Sequence, residues 1–360
     1  MQFNLELPIN STSFGQVSTC ILREIYARGL QPNLFPIGQV DLQSQQVPED
    51  FGRWLQSCIN KGARLYKRSQ PTFRLWHLNG SHSRLSDKTV LLTFYETDNP
   101  TETELNIIKN TDKVLFTSNY TAEVFRDYGA DNVGFLPLAF DKWNFGRKAT
   151  PYLKDKIVFN IVGKFEHRKR HEKVVKTIVK KWGNDGNYHF QLAIYNPFFK
   201  PEDNQKLFAQ LVEGKNYWNV QFLGFMPQNQ LYNDYLNSAN VILGMSGGEN
   251  WGLPEFHSVA MGKHAVIHNC GGYKEWANNE NSVLVNSNSK IPAYDGAFFQ
   301  QGAPFNQGNF FEFDEDAFIA GVEKAIERVK INPVNTEGLK LQDKFTWEKI
   351  VDQIIIYLHE

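Results

Sequence analysis

The sequence predicts an α/β protein of two parallel-sheet domains facing a cleft, and three observations carry that prediction. Its 360 residues, 41% of them apolar, supply core for two such domains more comfortably than for one. Short β-rich runs alternate with helical patterns through the first half, which argues for a parallel sheet. After a charged break the alternation starts afresh.

In the first half, Phe3–Leu7, Leu34–Ile37, Phe73–His77, Val90–Thr93, Val114–Thr117 and Val133–Leu136 read as strands. The second series runs through Ile157–Val162, Phe190–Ile194, Val220–Leu223, Val241–Met245 and Ala265–Ile267, and ends near Val283–Val285. Between them, FDKWNFGRKATPY carries Gly146, Pro151 and scattered charge, so an exposed hinge is expected near residues 146–153. Residues 1–148 then form one domain and 149–345 the other. Trp347–Leu358 has Ile350, Val351, Ile354, Ile355 and Leu358 at helical spacing, and this terminal helix, with residues 346–360, is expected to pack back on the first domain. From Asn286 to Phe313 the chain is rich in Gly, Gln and Phe with no clean period, and reads as a long functional loop.

A formal charge of −1 gives no basic footprint for nucleic acid, so a small-molecule substrate is expected. Cys20, Cys58 and Cys270 lack paired spacing, which suggests a reducing compartment, and no run is apolar enough to span a membrane. The expected location is cytoplasmic.

Two segments carry chemistry. From Ser246 to Trp276 the sequence SGGENWGLPEFHSVAMGKHAVIHNCGGYKEW follows a strand and opens a helix at about Leu253–Pro254. Gly247, Gly248 and Gly252 let the backbone turn tightly against a ligand, and the free amides of the helix start attract phosphate oxygens. The second segment, Phe159 to Trp182, sets Lys164, Arg168, Lys169 and Arg170 directly after a strand, at the sheet edge where such folds bind ligands.

Together these segments resemble family 4 of the retaining glycosyltransferases, whose two Rossmann-like domains form the GT-B fold; the resemblance covers most of the chain. In that family the donor domain opens with a strand, then Gly-Arg-Leu, three residues, and Lys-Gly, where this chain has Gly163-Lys164-Phe165 and Lys169-Arg170. The later motif, Ser-x-x-Glu-Gly-Phe-Gly-Leu-Pro with a following Ala-x-Gly-like end, is matched by Ser246, by Glu249-Asn250-Trp251-Gly252-Leu253-Pro254 and by Ala260-Met261-Gly262. Gly271-Gly272 fall at the family's donor-side glycine loop, and Phe345-Thr346-Trp347-Glu348 resembles its Phe-Ser-Trp-Glu.

The resemblance implies a nucleoside diphosphate sugar as donor, a carbohydrate or other hydroxyl acceptor, and retention of anomeric configuration. Lys164 and Lys169 inherit the phosphate role and Glu249 orients the sugar, while Gly163, Gly15, Gly248, Asn250, Trp251, Gly252, Leu253, Gly271 and Gly272 are expected around the donor. There is one departure. The family's two glutamates have seven residues between them, and here Glu249 is followed in the second place by His257, with Glu255 two residues too early. The second glutamate accepts from ribose hydroxyls, whereas a neutral imidazole offers one acceptor. Either His257 replaces that contact, or it faces the core beside Phe256 and Val259.

In the first half, Pro8–Gly15 resembles the loop that faces the donor, and Glu96, Asp98 and His77 are acceptor-side candidates, with capping an equal reading for the two acids. From Phe51 to Ser86 there is no acid, yet Arg53, Lys61, Arg64, Lys67, Arg68, Arg74 and Arg84 occur. This 53–84 region suits either a weak peripheral membrane contact or an amphipathic helix with wet cations. There is no Asp-x-Asp pattern on a donor strand and no His/Cys cluster at ligand spacing, so metal-independent transfer without cofactor is expected. Two other readings remain: a sugar-nucleotide epimerase of the same fold, and a catalytically degenerate nucleotide-sugar binder.

Overall fold

The computed structural model describes residues 2–148 and 152–360, and in it the two alternating series become two sheets. The first contains β1 (Asn4–Leu7), β2 (Asn33–Pro36), β3 (Thr72–Leu75), β4 (Thr89–Thr93), β5 (Lys113–Phe116) and β6 (Val133–Phe135). Its order is β2-β1-β3-β4-β5-β6, all parallel. The second contains β7 (Ile157–Val162), β8 (Tyr188–Ala193), β9 (Val220–Phe222), β10 (Val241–Gly244), β11 (His264–Asn269), β12 (Val283–Pro292) and β13 (Asn309–Phe313). Its order is β13-β12-β11-β10-β7-β8-β9, parallel except for the β12–β13 hairpin.

Parallel neighbours need long crossovers, and helices supply most of them. In the first domain these are α1 (Ser13–Ala27), α2 (Phe51–Leu65), α3 (Glu102–Lys109) and α4 (Asn119–Asp127). The second has α5 (His171–Trp182), α6 (Pro201–Leu211), α7 (Asn229–Ser238), α8 (Leu253–Ala260) and α9 (Glu315–Ile331), then the short α10 (Thr336–Leu339) and α11 (Leu341–Lys344). The chain closes with α12 (Trp347–His359).

That last helix crosses back. Its Ile350, Val351, Ile354 and Leu358 are buried, and Arg28, capping the end of α1, donates to Asp352 at 2.6 Å and to the Glu348 carbonyl at 2.8 Å. One apolar cluster therefore runs from β1 and α1 through α12 to Trp251 and Phe256 beside α8. The hinge expected at 146–153 includes residues 149–151, which lie outside the described residues. Before them, the amides of Gly146 and Lys148 donate to Asn233 and Asn237 of α7 at 3.1 and 2.8 Å.

The expected loop from Asn286 to Phe313 is corrected in part, since β12 runs on to Pro292 and pairs with β13. The polar NSNSKIP stretch carries no apolar alternation because it runs on past the end of β11, paired only with β13 and mostly exposed, with a bulge at Ser287/Ser289. Only residues 293–308 form a loop, and it straps the domains together. Thr101 Oγ1 donates to the Pro304 carbonyl (2.6 Å), and the Asn306 and Asn309 amides donate to Glu104 (2.8 Å) and Asp98 (2.7 Å).

Candidate active site

Open α/β sheets bind ligands outside the carboxyl ends of their strands, where strand order reverses. Here the carboxyl edges of both sheets enclose a cavity of about 320 Å³. Ser11 and Thr12 reach it from the turn after β1, Ser13 and Gln16 from the first turn of α1, and Phe94 and Glu96 from the turn after β4. Opposite lie Gly163, Lys164, Arg168 and Lys169 after β7, and Glu249 to Pro254 after β10, with His257 deeper.

The chain leaves β7 at Gly163 with φ 122°, where a Cβ would stand 3.1 Å from the Lys169 side chain. Glycine alone accepts that turn readily, and the turn folds three cations back over the strand end. They alternate with carboxylates. Lys164 pairs with Glu166 at 2.8 Å, Arg168 bridges Glu166 (2.7 Å) and Glu249 (2.6 Å), and Lys169 pairs with the same Glu249 oxygen. Burial pushes the Glu166 carboxyl up, but Arg168 and Lys164 outweigh it and hold it at about 2. Glu249 likewise resists its burial and stays below the ordinary range through Lys169 and Arg168. Arg170, the fourth cation of the run, turns away and pairs with Glu312 on β13.

After β10, the Ser246 hydroxyl and the Gly247 amide both donate to the Arg168 carbonyl, at 3.0 and 2.8 Å, which binds the two turns together. Gly252 then caps α8 with φ 75° and presents the helix start to the cavity beside Leu253. Cations, the start of α8 and Glu249 thus line one cavity.

Several expected donor residues stand behind this surface. Gly271 and Gly272 are buried against the backbone of Glu249 and Asn250, where the Gly272 amide donates to the Glu249 carbonyl at 2.8 Å. A Cβ on Gly248 would strike the Phe310 ring, and one on Gly15 the backbone of Asn10. None of these four lines the cavity; each permits a close backbone approach that shapes it. Asn250 lines the cavity, but its side chain faces the first domain, donating to the Tyr95 carbonyl and accepting from Thr121 at 3.3 Å.

On the acceptor side, Glu96 faces the cavity half-buried; burial, then Glu249 and Glu166, push its carboxyl up against the pull of Arg168. Asp98 is instead a strap residue, pairing with Lys290 at 2.7 Å and with Asn309. His77 lies off the cavity and packs on Phe14, ring centroids 4.4 Å apart.

His257 resolves into a packed ring. It is buried, stacked on Phe145 at 4.3 Å and edge-on to Phe140, and burial lowers its pKa to about 4. The Gln16 amide lies 3.3 Å from its Nε2, so the acceptor nitrogen of the neutral ring is occupied and the proton sits on Nδ1, which has no partner. The ring thus borders the cavity and packs in the core at once, with its one acceptor nitrogen facing Gln16.

Sequence reasoning assigned no role to Glu166 or to the aromatic floor of Tyr195, Phe198, Phe225 and Tyr232 after β8 and β9. Phe198 and Phe225 are exposed rings directly after strand ends, a signal that strand prediction alone passes over. Among the described residues no group of three or more His, Cys, Asp or Glu side chains could hold a metal, and no helix is long and apolar enough to cross a membrane.

Fold and site define a two-domain GT-B architecture with a cleft lined by Lys164, Arg168 and Lys169. Residues 142–294 match the family model described as "Glycosyl transferases group 1". No curated protein matches the chain. Among solved structures, sucrose-phosphate synthase from Thermosynechococcus elongatus is similar over 100% of this chain and 98% of its own, with 16% identity and TM-score 0.69. Anabaena HepE in complex with UDP and glucose matches over 100% and 99% with 14% identity and TM-score 0.64. A glycosyltransferase from Rickettsia africae matches over 99% and 98% with 12% identity and TM-score 0.64. Residues 142–294 thus carry the likeness to the group 1 glycosyl transferases, and the whole chain shares the GT-B fold of these structures.

Proposed function

We propose that the chain moves a sugar from a nucleoside diphosphate sugar to an acceptor hydroxyl, with retention of configuration and without a metal. The observation that carries this reading is the convergence of Lys164, Arg168, Lys169 and the start of α8 on one cavity between the sheets. Transfer must stabilise the departing diphosphate, and fixed cations with helix amides do so without reorganisation. The aromatic floor of Tyr195, Phe198, Phe225 and Tyr232 suits the base and ribose, and the Nε1–H of Trp251, also in the cavity, has no partner of its own. That HepE is described with UDP and glucose supports a uridine diphosphate sugar as the first donor to try.

In this mechanism Lys164 and Lys169 hold the phosphates. Glu249, kept ionised by its two cations, accepts from the sugar hydroxyls and fixes the ring. The leaving phosphate takes the acceptor proton on the same face, so no covalent nucleophile is required. Lining by both domains supports an acceptor on the Glu96 side, opposite the cations.

Cytoplasmic location fits the three free, buried cysteines. In the 53–84 region, Arg53, Arg68 and Arg84 already pair with Asp50, Asp87 and Asp112, and Arg74 is buried. Lys61 donates to the Gln31 carbonyl, so any weak membrane contact would rest on Arg64 and Lys67.

Release of nucleoside diphosphate from a panel of uridine, guanosine and adenosine diphosphate sugars tests the function. A degenerate binder would bind one of them and release nothing, and an epimerase would return an isomerised sugar nucleotide.

A further inference from the structure

The cations of the cavity are balanced before any ligand arrives. Each of the three has a carboxylate partner, Lys164 on Glu166, Arg168 on Glu166 and Glu249, and Lys169 on Glu249. The donor diphosphate must share these cations with the carboxylates, and Glu96 adds a third acid on the opposite wall.

That opposite wall has a chemistry of its own. Among the described residues it presents the hydroxyls of Ser11, Thr12 and Ser13, the amide of Gln16, the flat ring of Phe94 and the carboxyl of Glu96, and no lysine or arginine. Phe94 is held by Phe14, ring centroids 4.4 Å apart, so its face is fixed. Hydroxyls, an amide and a carboxylate exchange hydrogen bonds with sugar hydroxyls, and an aromatic face covers the apolar face of a sugar ring. A phosphate monoester, with a charge of about −1.5 to −2 at neutral pH, wants arginine or lysine and is repelled by a carboxylate.

We infer that the acceptor is an uncharged sugar and that Glu96 sets this choice by excluding phosphorylated acceptors. The inference rests on the transferase reading above. Glu96 acts here as a specificity residue: it faces the acceptor, while the diphosphate is held by the other wall. The charged groups around it are Arg168, Lys169, Glu166 and Glu249, and the first three of these are bound to one another or to Glu249.

The test uses the full chain with a donor that it hydrolyses slowly in water, and compares glucose, fructose, N-acetylglucosamine and sucrose with the phosphate monoesters of the same sugars. At least one neutral sugar should accept with kcat/KM about tenfold or more above its monoester. In Glu96→Gln that ratio should shrink several-fold through improved use of the monoester, an effect that a merely structural change would not produce. Preference for the monoester, an unchanged ratio in a folded Glu96→Gln chain, or donor hydrolysis without transfer to any neutral sugar would each overturn the inference. Absence of donor binding by calorimetry would instead remove the transferase reading itself.

Discussion

Arg168 donates to Oε1 of Glu249 across 2.6 Å, and Lys169 pairs with that same oxygen. The residue expected to orient the sugar is thus set by the residues expected to hold the phosphates. Lys164→Ala and Lys169→Ala should each lower turnover by about ten- to a thousandfold, as loss of a charge-stabilising group does. Arg168→Ala should cost at least as much, because it also frees Glu166 and Glu249. Steady-state rates near those of the parent in both lysine variants would remove the phosphate assignment.

The His257 ring gives a pH prediction with a definite sign. Its pKa of about 4 lies below the ordinary value, so its contribution to stability is present above about 6.5 and is lost as pH falls toward 4. Donor affinity should therefore not follow this ring across about pH 5.5–8. If Nδ1–H serves the ribose, His257→Leu weakens donor binding by about 1–3 kcal/mol. Equal affinity in the leucine variant, measured by calorimetry, would make the ring purely a packing element. His257→Glu should lose stability, since a carboxyl would enter the Phe140–Phe145 stack.

Glu255, the acid two residues early, is buried beside Gly244 and Gly252. Burial, with Glu249 adding to it, pushes its pKa to about 7. Its stabilisation is full below 4.5 and is lost as pH rises through that value. Glu255→Gln should leave melting nearly unchanged at about pH 5 and gain roughly 1–3 kcal/mol at about pH 8. A difference that does not vary with pH between thermal melts would contradict this placement.

Binding of a nucleotide-sugar is expected to favour a more closed cleft. The strap opposes opening, so the free chain should already scatter as a compact particle. Asp98→Ala removes the contacts to Lys290 and Asn309 and should enlarge the radius of gyration without donor, with donor restoring it. Identical small-angle profiles for parent and variant would show that the strap holds nothing.

Transfer should survive a chelator, because Lys164, Arg168 and Lys169 supply the positive charge. Activity abolished by chelation and restored by magnesium would overturn metal independence.

The glycine-rich turn, the cation run and the terminal helix were legible because each is a local pattern with a local cause. Gly252 takes the left-handed conformation that its motif requires, and Ile350, Val351, Ile354 and Leu358 share a buried face at helical spacing. What the sequence hid is non-local. Nothing near residue 98 indicates Lys290, and nothing near residue 257 indicates Gln16 or Phe145, since those partners arrive through the tertiary fold. The polar continuation of β12 was missed for a related reason: beyond β11 it pairs only with β13 and is mostly exposed, so it needs no apolar face.

The β12–β13 hairpin bears on how this protein is cut for study. A fragment ending where the family model ends, at 294, would keep β12 and discard β13. The remaining strand would expose a row of unpaired amides and carbonyls, with Phe310 and Phe313 gone from the core beside it. Such a fragment is expected to self-associate on expression, so cloning boundaries belong after α9 at the earliest, with Phe313 and the helix behind it intact.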